Sequence, residues 1–214
     1  MNIDVPKDSR TLLQTERSVN YKTMGPGHYV YIGVEKCIKK LINFKKPTKN
    51  IIELYINIDG LPVFKSSSIS LWPILIQFGS FQPIGVAFFC GKGKPPFVPF
   101  LDEFVNEMLI LIDNGILVDD YIYTVQIAGF TADAPARASL KGIIQHTGYY
   151  SCERCTIKGT MVSRRIVFDQ KVEPVEERNG ISFHEGRYME KDSDGRSHQL
   201  EVSCVQKLLS LIHI

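Results

Sequence analysis

The chain has little excess charge of either sign. Its 25 Lys and Arg against 23 Asp and Glu leave a formal net charge of +2. A balance that close excludes a global positive field, so any hold on a polyanion must come from local clusters. Long apolar runs are also missing, and none approaches the roughly 20 residues of a membrane span. The first residues show no secretory signal pattern. Cysteine is sparse and odd in number, five in 214 residues, which points to a reducing compartment, cytosol or nucleus. A single tryptophan, Trp72, sits in an apolar run and is expected in the core. No internal repeat is visible. What remains is an ordinary 44% hydrophobic content, enough for one sizeable domain or one domain with an appendage.

The basic residues do gather locally. Lys36, Lys39, Lys40, Lys45, Lys46 and Lys49 form one group, and Arg154, Lys158, Arg164 and Arg165 another. Such groups read first as solvated faces, with a DNA-contact stripe as the alternative.

Hydrophobic periodicity divides the chain. Residues 1 to about 30 are polar and broken by Pro6, Gly25, Pro26 and Gly27, an irregular lead-in. Val34, Ile38, Leu41 and Ile42 recur at helical spacing, and Pro47 stops that helix. Ile51 to Asp59 alternates as a strand. Leu71 to Phe78 and Pro83 to Cys90 are two more strand-length runs, followed by a Gly/Lys/Pro loop over Gly91 to Pro96. Leu101, Phe104, Val105, Met108, Leu111 and Ile112 mark a helix face over 98–114, with Gly115 as its stop. A strand from Tyr121 to Ala132 ends at Asp133, and Ala136 to Ile144 reads as a helix. Arg165 to Phe168 forms a short strand, and Glu173 to Gly195 reads as a charged loop. The expected division is a lead-in over 1–48, a core over 49–150, a cysteine-pair segment over 151–208 and a tail over 209–214. Three strands, a helix, a strand and a helix match the first part of a ribonuclease-H-like α/β fold: a mixed sheet with flanking helices.

Two aspartates close strand-like runs, Asp59 in INIDGLP and Asp133 in FTADAPAR, 74 positions apart. Carboxylates from separate strands converging at one sheet edge can hold divalent metal, because Mg²⁺ takes oxygen ligands from one or two carboxylates plus substrate phosphate. Each also has a plain structural reading. Asp59-Gly60 is a hairpin signal, and Asp133 before Ala134-Pro135 suits a helix cap. Cys152 and Cys155 supply half of a tetrahedral zinc site. His146, His198 and Cys204 could complete it, with His184 a weaker choice. Cys37 and Cys90, in apolar runs, are expected in the core.

The literal motifs carry more than the spacing. PKDSRTLLQT (6–15), INIDGLPVFKSSS (56–68) with LWPIL (71–75), PIGVAFFCGKGKPP (83–96) and ADAPARASLKGIIQHTGYYSCERCTIKG (132–159) resemble the transposases of CACTA (En/Spm-type) DNA transposons and their animal relatives. The resemblance implies a DDE-type catalytic core with a ribonuclease-H-like fold, acting on transposon ends and target DNA in the nucleus with Mg or Mn. Asp59 then corresponds to the first acidic residue and Asp133 to the second. Cys152 and Cys155 fall on the family's cysteine pair, and His198 aligns loosely with a downstream histidine.

The third acidic residue of a DDE core is expected on a helix well beyond the second. Glu176, Glu177 and Glu190 lie in polar, breaker-rich sequence and do not match it. The reading is therefore of an N-terminal part of the core, truncated before its last helix and inactive as it stands. A domesticated, non-catalytic module binding DNA or protein is the alternative. The terminal LSLIHI (209–214) equals the translation of a transposase-library adapter and reads as a non-native tail.

Overall fold

Alternation builds the central strand. In β3 (Ile51–Ile58) the side chains of Ile52, Leu54, Ile56 and Ile58 are buried while Ile51, Glu53 and Tyr55 face outward. The computed structural model describes residues 19–64, 66–168, 175–203, 205 and 208. Around β3 lie β1 (Lys22–Met24), β2 (Gly27–Tyr31), β4 (Leu61–Pro62), β5 (Ile69–Gln77), β6 (Ile84–Lys92), β7 (Ile116–Val118) and β8 (Tyr121–Thr131). They form one eight-stranded mixed sheet in the order β1-β2-β6-β5-β3-β8-β7, with β4 on β5. Every pairing is antiparallel except β3 with β8. The fold is α/β. The four strands expected from periodicity share this sheet.

Two helices cover one face. Helix α1 (Val34–Phe44) buries Val34, Cys37, Ile38 and Ile42, and α2 (Phe97–Asn114) buries Phe100, Leu101, Phe104, Val105, Met108 and Leu111. These side chains join Ile52, Leu54, Ile56, Trp72, Ile74 and Phe89 in one core. Helix α2 ends where Gly115 adopts φ 73°, a conformation that excludes most side chains. Helix α1 has no cap of its own at Gly33. The carboxylate of Glu107 in α2 substitutes, accepting from the N–H groups of Val34 at 2.7 Å and Glu35 at 3.0 Å, and from the Tyr31 hydroxyl. Burial, reinforced by Glu107, pushes the Tyr31 phenol well above its ordinary range. Negative charge at a helix N-terminus is favourable in itself, so one side chain both caps α1 and ties the two helices together.

The opposite face of the sheet, with Ile51, Tyr55 and Ile122 each more than 40% exposed, is open among the described residues. No helix among them is long and apolar enough to cross a membrane.

The structure departs from the periodicity in several places. Residues 22–31, expected to be irregular, form the β1–β2 hairpin, turned at Gly25 and anchored by fully buried Tyr29, whose ring meets Phe100 edge-on at 5.8 Å. Gly and Pro at the turn mask its short alternation. Helix α3 (Ala134–Lys141) starts two residues earlier than expected, because Asp133 caps it and Pro135 suits its first turn. The short strand near residue 165 is β10 (Arg165–Val167), paired with β9 (Thr160–Val162). The span read as a charged loop holds α4 (Gly180–His184) and a 3₁₀ turn (Arg187–Met189). Cys37 is buried as expected, but Cys90 is exposed. The strand pleat turns Cys90 to the face away from α1 and α2, while its neighbour Phe89 points into the core.

Candidate active site at the C-terminal edge of the sheet

The parallel pairing of β3 and β8 decides where the two aspartates go. Its ladder runs to Ile56 opposite Phe130 and Asn57 opposite Thr131. Asn57 and Thr131 are the last paired residues, and Asp59 and Asp133 each follow two positions later, just past the ends of these adjacent strands.

Facing is set by an irregularity. In the first part of β8 the odd positions Tyr123, Val125 and Ile127 meet the core. Leu54 pairs with Ile127, but Tyr55 pairs with Gly129. Ala128 is thus an extra residue, a β-bulge, and is exposed. Past it the even positions Phe130 and Ala132 pack on the core. Asp133 is odd, so the bulge moves it to the open face that Asn57 and Asp59 occupy. Without the bulge, Asp133 would fall on the core side. Asn57 confirms the common face: its amide donates across the strands to the Thr131 carbonyl at 3.1 Å and hydroxyl at 3.0 Å.

Each carboxylate spends one oxygen on its own backbone. Asp59 Oδ1 accepts from the Gly60 N–H at 2.8 Å, and Asp133 Oδ1 accepts from the Ala136 N–H at 2.7 Å as the N-cap of α3. Among the described residues the second oxygen of each accepts no hydrogen bond. Gly60 is required next to Asp59, since a Cβ there would lie 2.4 Å from the Trp72 ring. Trp72 is buried, as expected, against Phe97. The plain reading holds for Asp133, which caps α3, but not for Asp59: β4 runs on past Asp59-Gly60 along β5 in the same direction as β3, and the hairpin turn comes only after β4. Neither local bond competes with a metal role, because one oxygen holds the backbone and the other stays available.

Past α3 the chain folds back as a lobe of loops. Glu153 accepts from Arg137 at 2.8 Å and Lys141 at 2.7 Å, tying the cysteine segment to α3. Its burial would raise the carboxyl, but the two cations outweigh that and hold it below the ordinary carboxylate range. Asp192 binds Lys158, Tyr150 and two backbone N–H groups, and Arg196 stacks on Tyr149 at 3.8 Å.

Within this lobe the sulfurs of Cys152 and Cys155 approach to 3.2 Å. Burial opposes ionisation of Cys152, but the Cys155 thiol, nearby N–H groups and Arg178 overcome it and lower that thiol. His198 is buried, and its Nδ1 lies 2.6 Å from the Tyr150 carbonyl. A carbonyl only accepts, so Nδ1 carries the proton and Nε2 keeps its lone pair. That Nε2 is buried without a hydrogen-bond partner. Burial lowers the imidazole to about 4, keeping it neutral. A neutral histidine with Nδ1–H on a carbonyl and a free Nε2 has the form of a metal ligand. His146 and His184 are exposed, and Cys204 lies outside the described residues. No three His, Cys, Asp or Glu among the described residues gather into a group that could hold a metal ion. The structure thus brings the two cysteines into contact and ends two adjacent parallel strands just before the two aspartates.

No family model matches this chain, and no curated protein matches it.

Sequence reasoning overlooked Asn57, Thr131 and the bulge. The signal was present: apolar residues change phase between Ile127 and Phe130, across an Ala-Gly pair. Small residues at a phase change mark a bulge rather than one continuous strand.

Proposed function

We propose that the chain is the N-terminal part of a ribonuclease-H-like, DDE-type DNA transposase core of the CACTA class, whose complete form cuts transposon ends and joins them to target DNA in the nucleus. The observation that supports this reading is the parallel pairing of β3 with β8, whose last pair, Asn57 and Thr131, lies two residues before Asp59 and Asp133. Three antiparallel strands (β3, β5, β6), a helix (α2) and a strand returning parallel to the first (β8) support the finer fold.

In this reading the free oxygens of Asp59 and Asp133 hold Mg or Mn. Such an ion, when bound, polarises a phosphate oxygen and activates a hydroxyl nucleophile. The chain's own contribution is geometric: the bulge and the Asn57–Thr131 hydrogen bonds fix the separation and facing of the two carboxylates. The fit is to a two-carboxylate site, which leaves further coordination to water and phosphate. Two carboxylates hold the metal weakly, and the chain by itself leaves end DNA uncut. Cys152 and Cys155 supply two thiol ligands for zinc in this reading, and neither His198 nor His146 is gathered with them among the described residues.

The alternative, a transposase-derived module that binds DNA or protein without cutting, is favoured by one observation: no third acidic group joins the pair among the described residues.

The test is a Mn²⁺ titration of the pure chain, read by loss of the free-ion electron paramagnetic resonance signal. Binding should be weak and should vanish in both Asp59→Asn and Asp133→Asn. Binding that survives either substitution would sink the catalytic reading.

A further inference from the structure

The β5–β6 ladder does not stop at the carboxylate edge. The last β5 residue paired with β3 is Ile74, opposite Ile58, yet β5 and β6 stay paired as far as Ile69 opposite Lys92. That is five residue steps, roughly 16 Å at about 3.3 Å per residue. Strand β4 joins this extension, with Leu61 opposite Leu71 and Pro62 opposite Ser70. The result is a three-stranded tongue projecting past Asp59 and Asp133.

Its surface combines two chemistries. Phe64, in the turn after β4, is 63% exposed, and Leu61 is 54% exposed. Lys92 and Lys94 are exposed at the same end of the tongue, where the Val63 N–H donates to the Ile69 carbonyl at 3.1 Å, Ile69 pairs with Lys92, and the Gly93 N–H donates to the Ser68 carbonyl at 3.0 Å. Register puts Leu61 and Lys92 on the open face of the sheet, the face that bears the carboxylates. The Lys94 ammonium reaches from the tongue to α3, the helix that Asp133 caps, where it donates to the Ser139 hydroxyl at 2.8 Å. A hydroxyl does not neutralise it, and neither lysine is ion-paired among the described residues. Lys39, in the larger cluster on α1, is by contrast paired with Glu35 at 2.7 Å.

An exposed aromatic flanked by cations is the composition of a single-strand nucleic-acid surface. Bases stack on the ring and phosphates meet the ammonium groups. We infer that the β4–β5–β6 tongue binds the single-stranded DNA flanking the site of strand cleavage, with Phe64 stacking on a base and Lys92 and Lys94 holding phosphates. The inference rests on the nuclease reading for its location beside the carboxylates. Its chemistry is separate, since neither Phe64 nor the lysines bind metal.

The test measures binding of fluorescein-labelled single-stranded and duplex oligonucleotides to the full chain by anisotropy, across a salt series without divalent metal. The wild type should prefer the single strand. Phe64→Ala should weaken that binding about tenfold with an unchanged salt slope, and Phe64→Trp should restore it. The double variant Lys92→Gln/Lys94→Gln should instead flatten the slope of log K against log salt by about 1.4, which is two phosphate contacts at roughly 0.7 each. Lys36→Gln/Lys40→Gln on α1 serves as a control for general charge. All five side chains are exposed, so the folds should survive, and circular dichroism checks this. Single-strand binding unaffected by both tongue variants would overturn the proposal. So would a duplex preference, or a Phe64 surface that pairs two copies of the chain in sedimentation while DNA binding stays unchanged. Loss of Mn²⁺ binding in the aspartate variants with no tongue effect would remove this inference alone. A tongue effect without aspartate-dependent Mn²⁺ binding would remove the nuclease reading alone.

Discussion

Asp133 carries two roles that one pair of substitutions can separate. As N-cap it accepts from the Ala136 N–H at 2.7 Å and keeps the extended φ −66°, ψ 166° of a capping residue. Replacing a capping Asp by Ala costs about 1 kcal/mol. Losing the negative charge at the helix N-terminus costs about 0.5 kcal/mol more at an exposed site. Asp133→Ala should therefore destabilise the chain by about 1.5 kcal/mol. For a protein of this size that lowers Tm by roughly 3–6 °C. Asn caps as well as Asp, so Asp133→Asn should lose only the charge contribution, about 0.5 kcal/mol, a shift of roughly 1–2 °C. Both variants should lose Mn²⁺ binding. Thermal unfolding by circular dichroism and the Mn²⁺ titration, on the same samples, give the comparison. If Asp133→Asn unfolds as early as Asp133→Ala, the side chain is not acting as a cap. If Asp133→Asn binds Mn²⁺ like the wild type, the residue is a cap and nothing more.

Other perturbations follow from the same geometry. Glu107→Ala removes the acceptor for two N–H groups of α1 and for Tyr31, and should cost about 2–3 kcal/mol in denaturant unfolding, with Glu107→Gln intermediate. A cost below about 0.5 kcal/mol would show that water caps α1 equally well. Deleting Ala128 should return Asp133 to the core face, abolish Mn²⁺ binding and destabilise the sheet, whereas Ala128→Ser, which keeps the bulge, should do neither. Zinc analysis of purified protein should find about one equivalent in the wild type and little in Cys152→Ser or Cys155→Ser. Equal zinc in all three would remove these residues from any site.

The strands and the main helix were legible because their periodicities are long and uninterrupted. Ile52, Leu54, Ile56 and Ile58 alternate without a break, and Phe104, Met108 and Leu111 keep a helical stripe through α2. The hairpin over 22–31 was not, because three strand residues and a Gly-Pro-Gly turn give periodicity too little length to register. Cys90 was misplaced for a related reason. An apolar run says that a strand is present, but only its partners say which alternate residues face the helices. The aspartates could be named from local motifs, but their common face could not. That depends on one inserted residue in β8, and the Glu107 cap on α1 depends on a hydrogen bond from the Val34 backbone N–H to a carboxylate 73 positions away. Contacts that distant leave no periodic trace.

The parallel ladder between β3 and β8 also has a kinetic consequence. Asn57 and Thr131 are joined across 74 positions, whereas β1–β2, β5–β6 and β7–β8 close as local hairpins. Closing the longer loop costs more chain entropy before any pairing compensates, so the local hairpins should form first and the parallel pair late. The two carboxylates become neighbours only in that late step. A cation that binds the pair therefore recognises the finished sheet and not its precursors, and should slow unfolding without hastening folding.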